Sequence, residues 1–127
     1  MILLDTRRIK AYEFLHQIGE AVGEDEDYLE ELWGEFLQSE ELMGAFIYYL
    51  DHHTLYDGIR CEGYGLTDLY FYNMRRAEIR QDIGKNYGDS DKDALALETF
   101  RMMAEMMKAP EAYIKKLEGG LGMDTMI

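Results

Sequence analysis

The stretch from residue 28 to residue 50 reads YLEELWGEFLQSEELMGAFIYYL, and its apolar residues recur at intervals of three and four. This spacing lines one face of a helix, because an α-helix has about 3.6 residues per turn. Ser39, followed by Glu40 and Glu41, has the character of an N-cap with an acidic first turn. The stretch therefore predicts two helices that meet at Ser39, or one bent helix that is weakest at Ser39 and Gly44.

The same helical spacing extends along most of the remaining chain. The other predicted helices begin near Asp5 or Thr6, near Thr67, after Gly88 and at Pro110, with helix ends at Gly23 and Gly84. Glycine and aspartate interrupt the pattern near residues 51–66. We predict an all-α protein, a single compact bundle of five to six helices with an irregular segment near 51–66. It would form one domain over residues 1–118, followed by a Gly-rich C-terminal tail, open to disorder, over residues 119–127.

Composition agrees with one helical domain. The chain has 127 residues, of which 47% are hydrophobic, enough to bury a core. Its single cysteine, Cys61, excludes an intramolecular disulfide and suits a reducing compartment. The first residues lack the pattern of a secretory signal, and the longest apolar run, Leu42–Leu50, is far below the roughly 20 residues that span a bilayer. A cytoplasmic location without membrane contact is expected.

Charge is distributed unevenly along the chain. The net charge is -13, yet residues 1–57 contain fourteen acidic and three basic residues, whereas residues 58–127 contain twelve and ten. No lysine or arginine lies between Lys10 and Arg60. This balance disfavours nucleic acid as a partner, because phosphates repel an acidic protein. A solvated acidic face is the simpler interpretation. The acidic N-terminal half also predicts contact with a basic protein partner, or self-association as a homodimer.

Tyrosine is unusually frequent around the irregular segment. Ten of the sixteen aromatic residues are tyrosines, and six of these lie within residues 48–72. Tyrosine is enriched at binding surfaces because it joins a large apolar ring to a hydroxyl, although core packing explains most such residues. A binding surface is predicted along this segment and the arginines just beyond it: Tyr49, Tyr56, Tyr64, Tyr70, Arg75 and Arg76.

The triplet Asp51-His52-His53 provides the alternative hypothesis, a small ligand- or metal-binding protein. Carboxylate and imidazole are ligands of zinc and iron. The triplet also spells the signature of the phosphoesterases named after it, but that family places it after a strand in an α/β fold. Adjacent histidines on a helix point about 100° apart, and a histidine at a helix C-terminus is favoured by the helix dipole.

Other patterns indicate little chemistry. Glu13 and His16 have the spacing of a di-metal bundle ligand pair, but the second such pair is missing. The aspartates from Asp89 to Asp93 resemble the start of a calcium loop that lacks its glycine and its final glutamate. Cys61 could act as a nucleophile with a histidine, although a lone cysteine is more often a small apolar residue. We therefore expect a protein that is not an enzyme and that has no cofactor.

Overall fold

The computed structural model of the chain describes residues 6–80 and 89–118, which form six helices and one small hairpin. The helices are α1 (Thr6–Ala21), α2 (Glu26–Gln38), α3 (Glu40–His52), α4 (Leu66–Arg80), α5 (Asp89–Lys108) and α6 (Pro110–Leu117). Strands β1 (Arg60–Cys61) and β2 (Tyr64–Gly65) pair antiparallel. The predicted all-α class is confirmed. None of the helices in these ranges combines the length and the apolar character that crossing a bilayer requires.

Backbone contacts divide the chain into two compact units, Met1–Tyr56 and Asp57–Ile127. The first unit contains α1, α2 and α3, and the second contains the hairpin with α4, α5 and α6. The single domain over residues 1–118 stays a prediction. The predicted tail over residues 119–127 lies outside the described residues, as does the helix end predicted at Gly84.

The apolar faces of α1, α2 and α3 form the core of the first unit. Phe36 of α2 and Phe46 of α3 are fully buried, with their ring centroids 5.0 Å apart. Phe14 of α1 lies 5.8 Å from the ring of Phe46, so each of the three helices contributes an aromatic ring. Burial of these side chains is the main force that holds the unit together, because apolar surface leaves water.

Helices α1 and α2 approach closely where Gly19 faces Leu29. Both residues are buried, and a Cβ atom at position 19 would lie 2.5 Å from either methyl carbon of Leu29. Atoms of that kind require about 3.5–4.0 Å. Gly19 is therefore required by packing, although glycine is an unfavourable helix residue.

Helices α2 and α3 are separate, and Ser39 is the residue that separates them. Its backbone is extended, and its Oγ accepts a hydrogen bond from the backbone N–H of Leu42 at 3.2 Å. Glu40 and Glu41 occupy the first turn of α3, where carboxylates complement the positive end of the helix dipole. The N-cap predicted at Ser39 is confirmed, and the alternative of one bent helix is not adopted.

The irregular segment is shorter than predicted, because α3 continues through His52. His53 ends the helix in the left-handed conformation, with φ 54°, and its backbone N–H donates to the carbonyl of Tyr49. A two-residue turn then joins β1 to β2. Its residues, Glu62 and Gly63, both have positive φ, as the tight turn of a hairpin requires.

Two aspartates accept hydrogen bonds that connect the hairpin with the start of α4. Asp57 accepts hydrogen bonds from the hydroxyl of Thr67 at 2.9 Å and from Arg60 Nη2 at 2.6 Å. Asp68 accepts from the backbone N–H of Gly65 at 2.9 Å, which is one half of a capping box. The segment before α4 is therefore ordered by polar contacts as well as by burial.

Helices α4 and α5 form the main pair of the second unit. Leu69 of α4 is fully buried, as are Phe100, Met103 and Met106 of α5. Helix α6 begins at Pro110, where the missing N–H of proline costs nothing because the first helical donors have no partner. The starts predicted for α5, after Gly88, and for α6 are confirmed.

Substitution of two helical glycines by alanine tests the α1–α2 approach. Gly34→Ala should raise the free energy of unfolding by about 0.5–1 kcal/mol, because alanine favours the helix and nothing lies within 4 Å of its Cβ position. Gly19→Ala should lower it by about 1 kcal/mol, because the buried Leu29 must shift. Urea unfolding of both variants measures the difference. A similar stabilisation at both positions would contradict the close packing.

Candidate functional site

The predicted metal residues, Asp51, His52 and His53, are all exposed at the end of α3. The ring of His52 lies 4.3 Å from the ring of Tyr48, and the ring of His53 lies 6.2 Å from that of Tyr49. Across residues 6–80 and 89–118, no group of three or more His, Cys, Asp or Glu side chains could hold a metal ion. Metal binding by this triplet stays a prediction that the geometry does not favour.

The residues of the predicted binding surface are divided between the two units. Tyr49 is buried against Phe14, with ring centroids 6.2 Å apart, so its ring serves the core of the first unit. Tyr56, at the end of that unit, is exposed. The remaining four belong to the second unit, where two are half-buried and two are exposed: Tyr64, Tyr70, Arg75 and Arg76.

Carboxylates cover the outside of the first unit. Most acidic side chains of the turn before α2, of α2 and of α3 are exposed: Glu24, Asp25, Glu26, Asp27, Glu30, Glu31, Glu40, Glu41 and Asp51. We call this set the acidic face. Among its members, only Glu30 forms a hydrogen bond or ion pair through its side chain with a described residue. The acidic face therefore meets water rather than internal cations.

An aromatic group accompanies the acidic face on the outer side of α3. Tyr48 and Tyr56 are 38% and 49% exposed, and their ring centroids lie 5.7 Å apart. Together with the exposed ring of His52, they form what we call the aromatic stripe. Asp51 lies beside this stripe in sequence. Apolar ring faces next to carboxylates are suited to cations with flat, weakly hydrated surfaces, above all arginine.

Glu30 of α2 joins two side chains of α1. It accepts hydrogen bonds from the hydroxyl of Tyr12 at 2.5 Å and from His16 Nε2 at 2.7 Å. The bond from Tyr12 holds the pKa of Glu30 below its usual value, and the same bond raises the pKa of Tyr12. Sequence reasoning missed this cluster. The spacing of Tyr12 and His16 shows that they share a helix face, but nothing in the sequence identifies Glu30 as their partner.

The second unit contains a polar cavity of about 250 Å³ between α4, α5 and α6. We call it the α4–α5–α6 cavity. Its walls are formed by Tyr72, Asn73, Arg76, Glu98, Arg101, Met102 and Tyr113. Of these residues, only Arg76 belongs to the binding surface predicted from the sequence.

Arg101 is held in one wall of the cavity by two carboxylates. Its Nε donates to Glu98 at 2.9 Å, and its Nη1 donates to both oxygens of Glu105 at 3.0 and 3.1 Å. The hydroxyl of Tyr113 donates to Glu105. Burial, the hydrogen bond and the charge of Glu105 raise the pKa of Tyr113 to about 12. Each charged side chain of this cluster therefore has a hydrogen-bonded partner.

On the α4 side of the cavity, Arg76 and Asn73 have hydrogen-bonding atoms that no described residue occupies. Arg76 Nη1 donates to the hydroxyl of Tyr72 at 2.9 Å, and its guanidinium carbon lies 5.5 Å from the centre of that ring. No carboxylate pairs with Arg76 among the described residues. Asn73 is 7% exposed. Its Nδ2 donates a hydrogen bond to Thr99 Oγ1 at 3.4 Å.

Cys61 is poorly suited to nucleophilic chemistry. Its Sγ lies 3.6 Å from the carbonyl of Met106, which makes it a weak donor to the backbone. Burial, reinforced by the charge of Glu62, raises the pKa of this thiol. Less of it is therefore thiolate at neutral pH than in a free cysteine.

Comparison of the chain with models of protein families, with curated proteins and with solved structures finds no match. The function proposed below is therefore argued from the residues of this chain alone.

Titration of the tyrosines tests the paired wall of the cavity. Tyr113 should ionise near pH 12 rather than near its ordinary value of 10.0, and Tyr113→Phe should remove this late step from the phenolate absorbance. Because the pKa of Tyr113 is higher in the folded protein, its neutral phenol adds to the free energy of unfolding. This contribution is complete below pH 10 and is lost as the pH rises towards 12. Tyr56→Phe, which removes an exposed phenol, is the control. Retention of the late step in Tyr113→Phe would contradict the assignment.

Proposed function

We infer that the protein acts by contact with a basic, arginine-containing segment of another protein, which docks on the acidic face and the aromatic stripe of the first unit. One observation carries this proposal. Residues 11–59 contain thirteen carboxylates and no lysine or arginine, and the carboxylates of the acidic face are exposed. A cationic partner would supply the charge that this part of the chain lacks.

Charge complementarity explains how such a partner would be selected. Pairing between residues four apart is impossible within α2 and α3, because neither helix contains a lysine or arginine. Their carboxylates therefore repel one another, and a cationic segment would relieve that repulsion. A field of one sign also attracts an oppositely charged partner from a distance and rejects partners of the same charge.

The aromatic stripe supplies anchors that charge alone does not provide. Tyrosine at the centre of a contact surface contributes more to affinity than most residues, because it buries a large rigid ring. Tyr48 and Tyr56 are exposed and adjacent, and the ring of His52 contacts that of Tyr48 at a tilt of 42°. A guanidinium can lie flat on such a ring, and the ammonium of lysine is more strongly hydrated and stacks less well. The stripe therefore favours arginine.

A second copy of the chain is the weaker occupant of this surface. A two-fold dimer places the same patch of each copy against the other. The acidic face would then meet itself, and like charges would oppose the contact. A homodimer through this face is accordingly an outcome that the experiment below can reveal, and a basic partner is the proposal.

Binding of a labelled arginine homopeptide, followed by fluorescence anisotropy, tests the proposal. The affinity should fall steeply with salt, because screening weakens exposed charges. The lysine homopeptide of equal length should bind more weakly. Tyr48→Ala and Tyr56→Ala should each lower the affinity for the arginine peptide by about three- to fivefold. This corresponds to about 0.7–1 kcal/mol for one exposed cation–π contact.

Phe71→Ala is the matched control, since Phe71 is 51% exposed and belongs to the second unit. It should leave the affinity unchanged. The proposal is wrong if Glu40→Gln/Glu41→Gln and the two tyrosine variants bind the peptide as tightly as the unaltered chain. It is equally wrong if light scattering shows a dimer that dissociates in Tyr48→Ala, because a second copy would then occupy the stripe.

A further inference from the structure

We propose that the α4–α5–α6 cavity is a binding site for a small zwitterion, an α-amino acid whose carboxylate pairs with Arg76 and whose ammonium donates to Asn73. This site lies in the second unit and is independent of the contact surface inferred for the first. Four observations carry the proposal: the size of the cavity, the edge of Arg76 that no described residue occupies, the acceptor oxygen of Asn73 and the spacing of these two residues on α4.

The size of the cavity limits the ligand to a small molecule. Its volume is about 250 Å³. A cavity of about 150 Å³ accommodates benzene, and sites for drug-sized ligands begin near 300 Å³. The lining is mainly polar, with Met102 as its only aliphatic member. A small hydrophilic molecule fits this space better than an aromatic or aliphatic one.

Arg76 has no carboxylate partner among the described residues and can hold an anionic group. The hydrogen bond from its Nη1 to Tyr72 and the contact of its guanidinium with that ring fix the orientation of the side chain. Its Nε and Nη2 donate to no described residue. These two atoms form one edge of the guanidinium, which matches the two oxygens of a carboxylate.

Asn73 supplies a hydrogen-bond acceptor at the cavity. It is 7% exposed and lines the cavity. Thr99 Oγ1 donates to the carbonyl of Leu95 at 2.8 Å, so towards Asn73 it acts as the acceptor of the Nδ2 proton. No described residue donates to Asn73 Oδ1. Asn73 Oδ1 therefore remains in contact with solvent at the cavity, and a ligand N–H entering the cavity would donate to it in place of water.

Spacing and charge together select a zwitterion. Asn73 and Arg76 are three residues apart on α4, which places their Cβ atoms about 5–6 Å apart on one face. The amino and carboxylate groups of an α-amino acid, on one carbon, can reach both. Of the charged residues that line the cavity, Arg101 is paired with Glu98, whereas no described carboxylate pairs with Arg76. The carboxylate of a zwitterion would pair with Arg76, and its ammonium would donate to Asn73 Oδ1.

Calorimetric titration of the full chain with glycine, L-alanine, L-serine and L-glutamine tests the proposal. At least one should bind saturably, with an affinity between micromolar and millimolar, as expected for so few atoms. The matched probes lactate, which lacks the ammonium, and alanine methyl ester, which lacks the carboxylate, should bind at least tenfold more weakly. The inference is overturned if none of the four amino acids binds, or if either matched probe binds as tightly as L-alanine.

Variants then place the site. Arg76→Ala removes an exposed side chain and should weaken binding at least tenfold, with partial recovery in Arg76→Lys. Arg75→Ala, the adjacent arginine that does not line the cavity, should bind as the unaltered chain does. Asn73→Ala should reduce the difference in affinity between L-alanine and lactate, because this variant lacks the acceptor for the ammonium. Binding that survives Arg76→Ala unchanged would assign the ligand to another place and contradict the proposal.

Discussion

Twelve carboxylates without a single lysine or arginine, over residues 11–56, are the constraint on which the first unit depends. Carboxylates that have no internal cation must remain in water, because burial of an unpaired charge is very costly. Nearly every acidic side chain of α2 and α3 is accordingly exposed. Cohesion must then come from apolar contacts, which include the contact of Phe36 with Phe46 and the close approach of Gly19 to Leu29. The charged exterior and the tightly packed interior follow from the same constraint.

The two units present different polar chemistry. In the first unit the carboxylates of the acidic face are exposed and mostly without a cation among the described residues, which suits contact with a large, oppositely charged partner. In the second unit, carboxylates of α5 are paired with Arg101, and beside a cavity Arg76 retains donors that no described residue occupies. A recessed site with a few polar groups suits a small molecule. The unequal charge of the two halves of the sequence therefore corresponds to two kinds of recognition.

Local signals made most of the fold predictable. Ser39 and Pro110 were identified as helix starts because capping and proline chemistry act within one turn. The end of α3 was expected at the triplet that begins at Asp51, but not at a particular residue, because His53 adopts a left-handed conformation that is usual for glycine and uncommon for other residues. The hairpin turn at Glu62 and Gly63 was only partly visible, since the glycine marks it but the glutamate does not.

The candidate sites depend on contacts between helices, which spacing along one helix does not encode. Arg76 was selected for its position near a tyrosine-rich segment. That no described carboxylate pairs with it is visible only when α4, α5 and α6 are packed. Tyr49 was selected on the same grounds and serves the core instead. His16 was considered as a metal ligand, and its partner Glu30 comes from a helix that the motif did not include.

The central claim, that most carboxylates of the acidic face have no cationic partner among the described residues and repel one another, is tested most directly by the free energy of unfolding at increasing salt. Raising NaCl from about 0.01 M to about 0.1 M shortens the Debye length from about 30 Å to about 10 Å and screens exposed charges. The account predicts that the free energy of unfolding rises over this range, because screening removes repulsion that the folded chain concentrates. A fall in the free energy of unfolding would show that attractive pairs dominate the folded surface, and it would contradict the account.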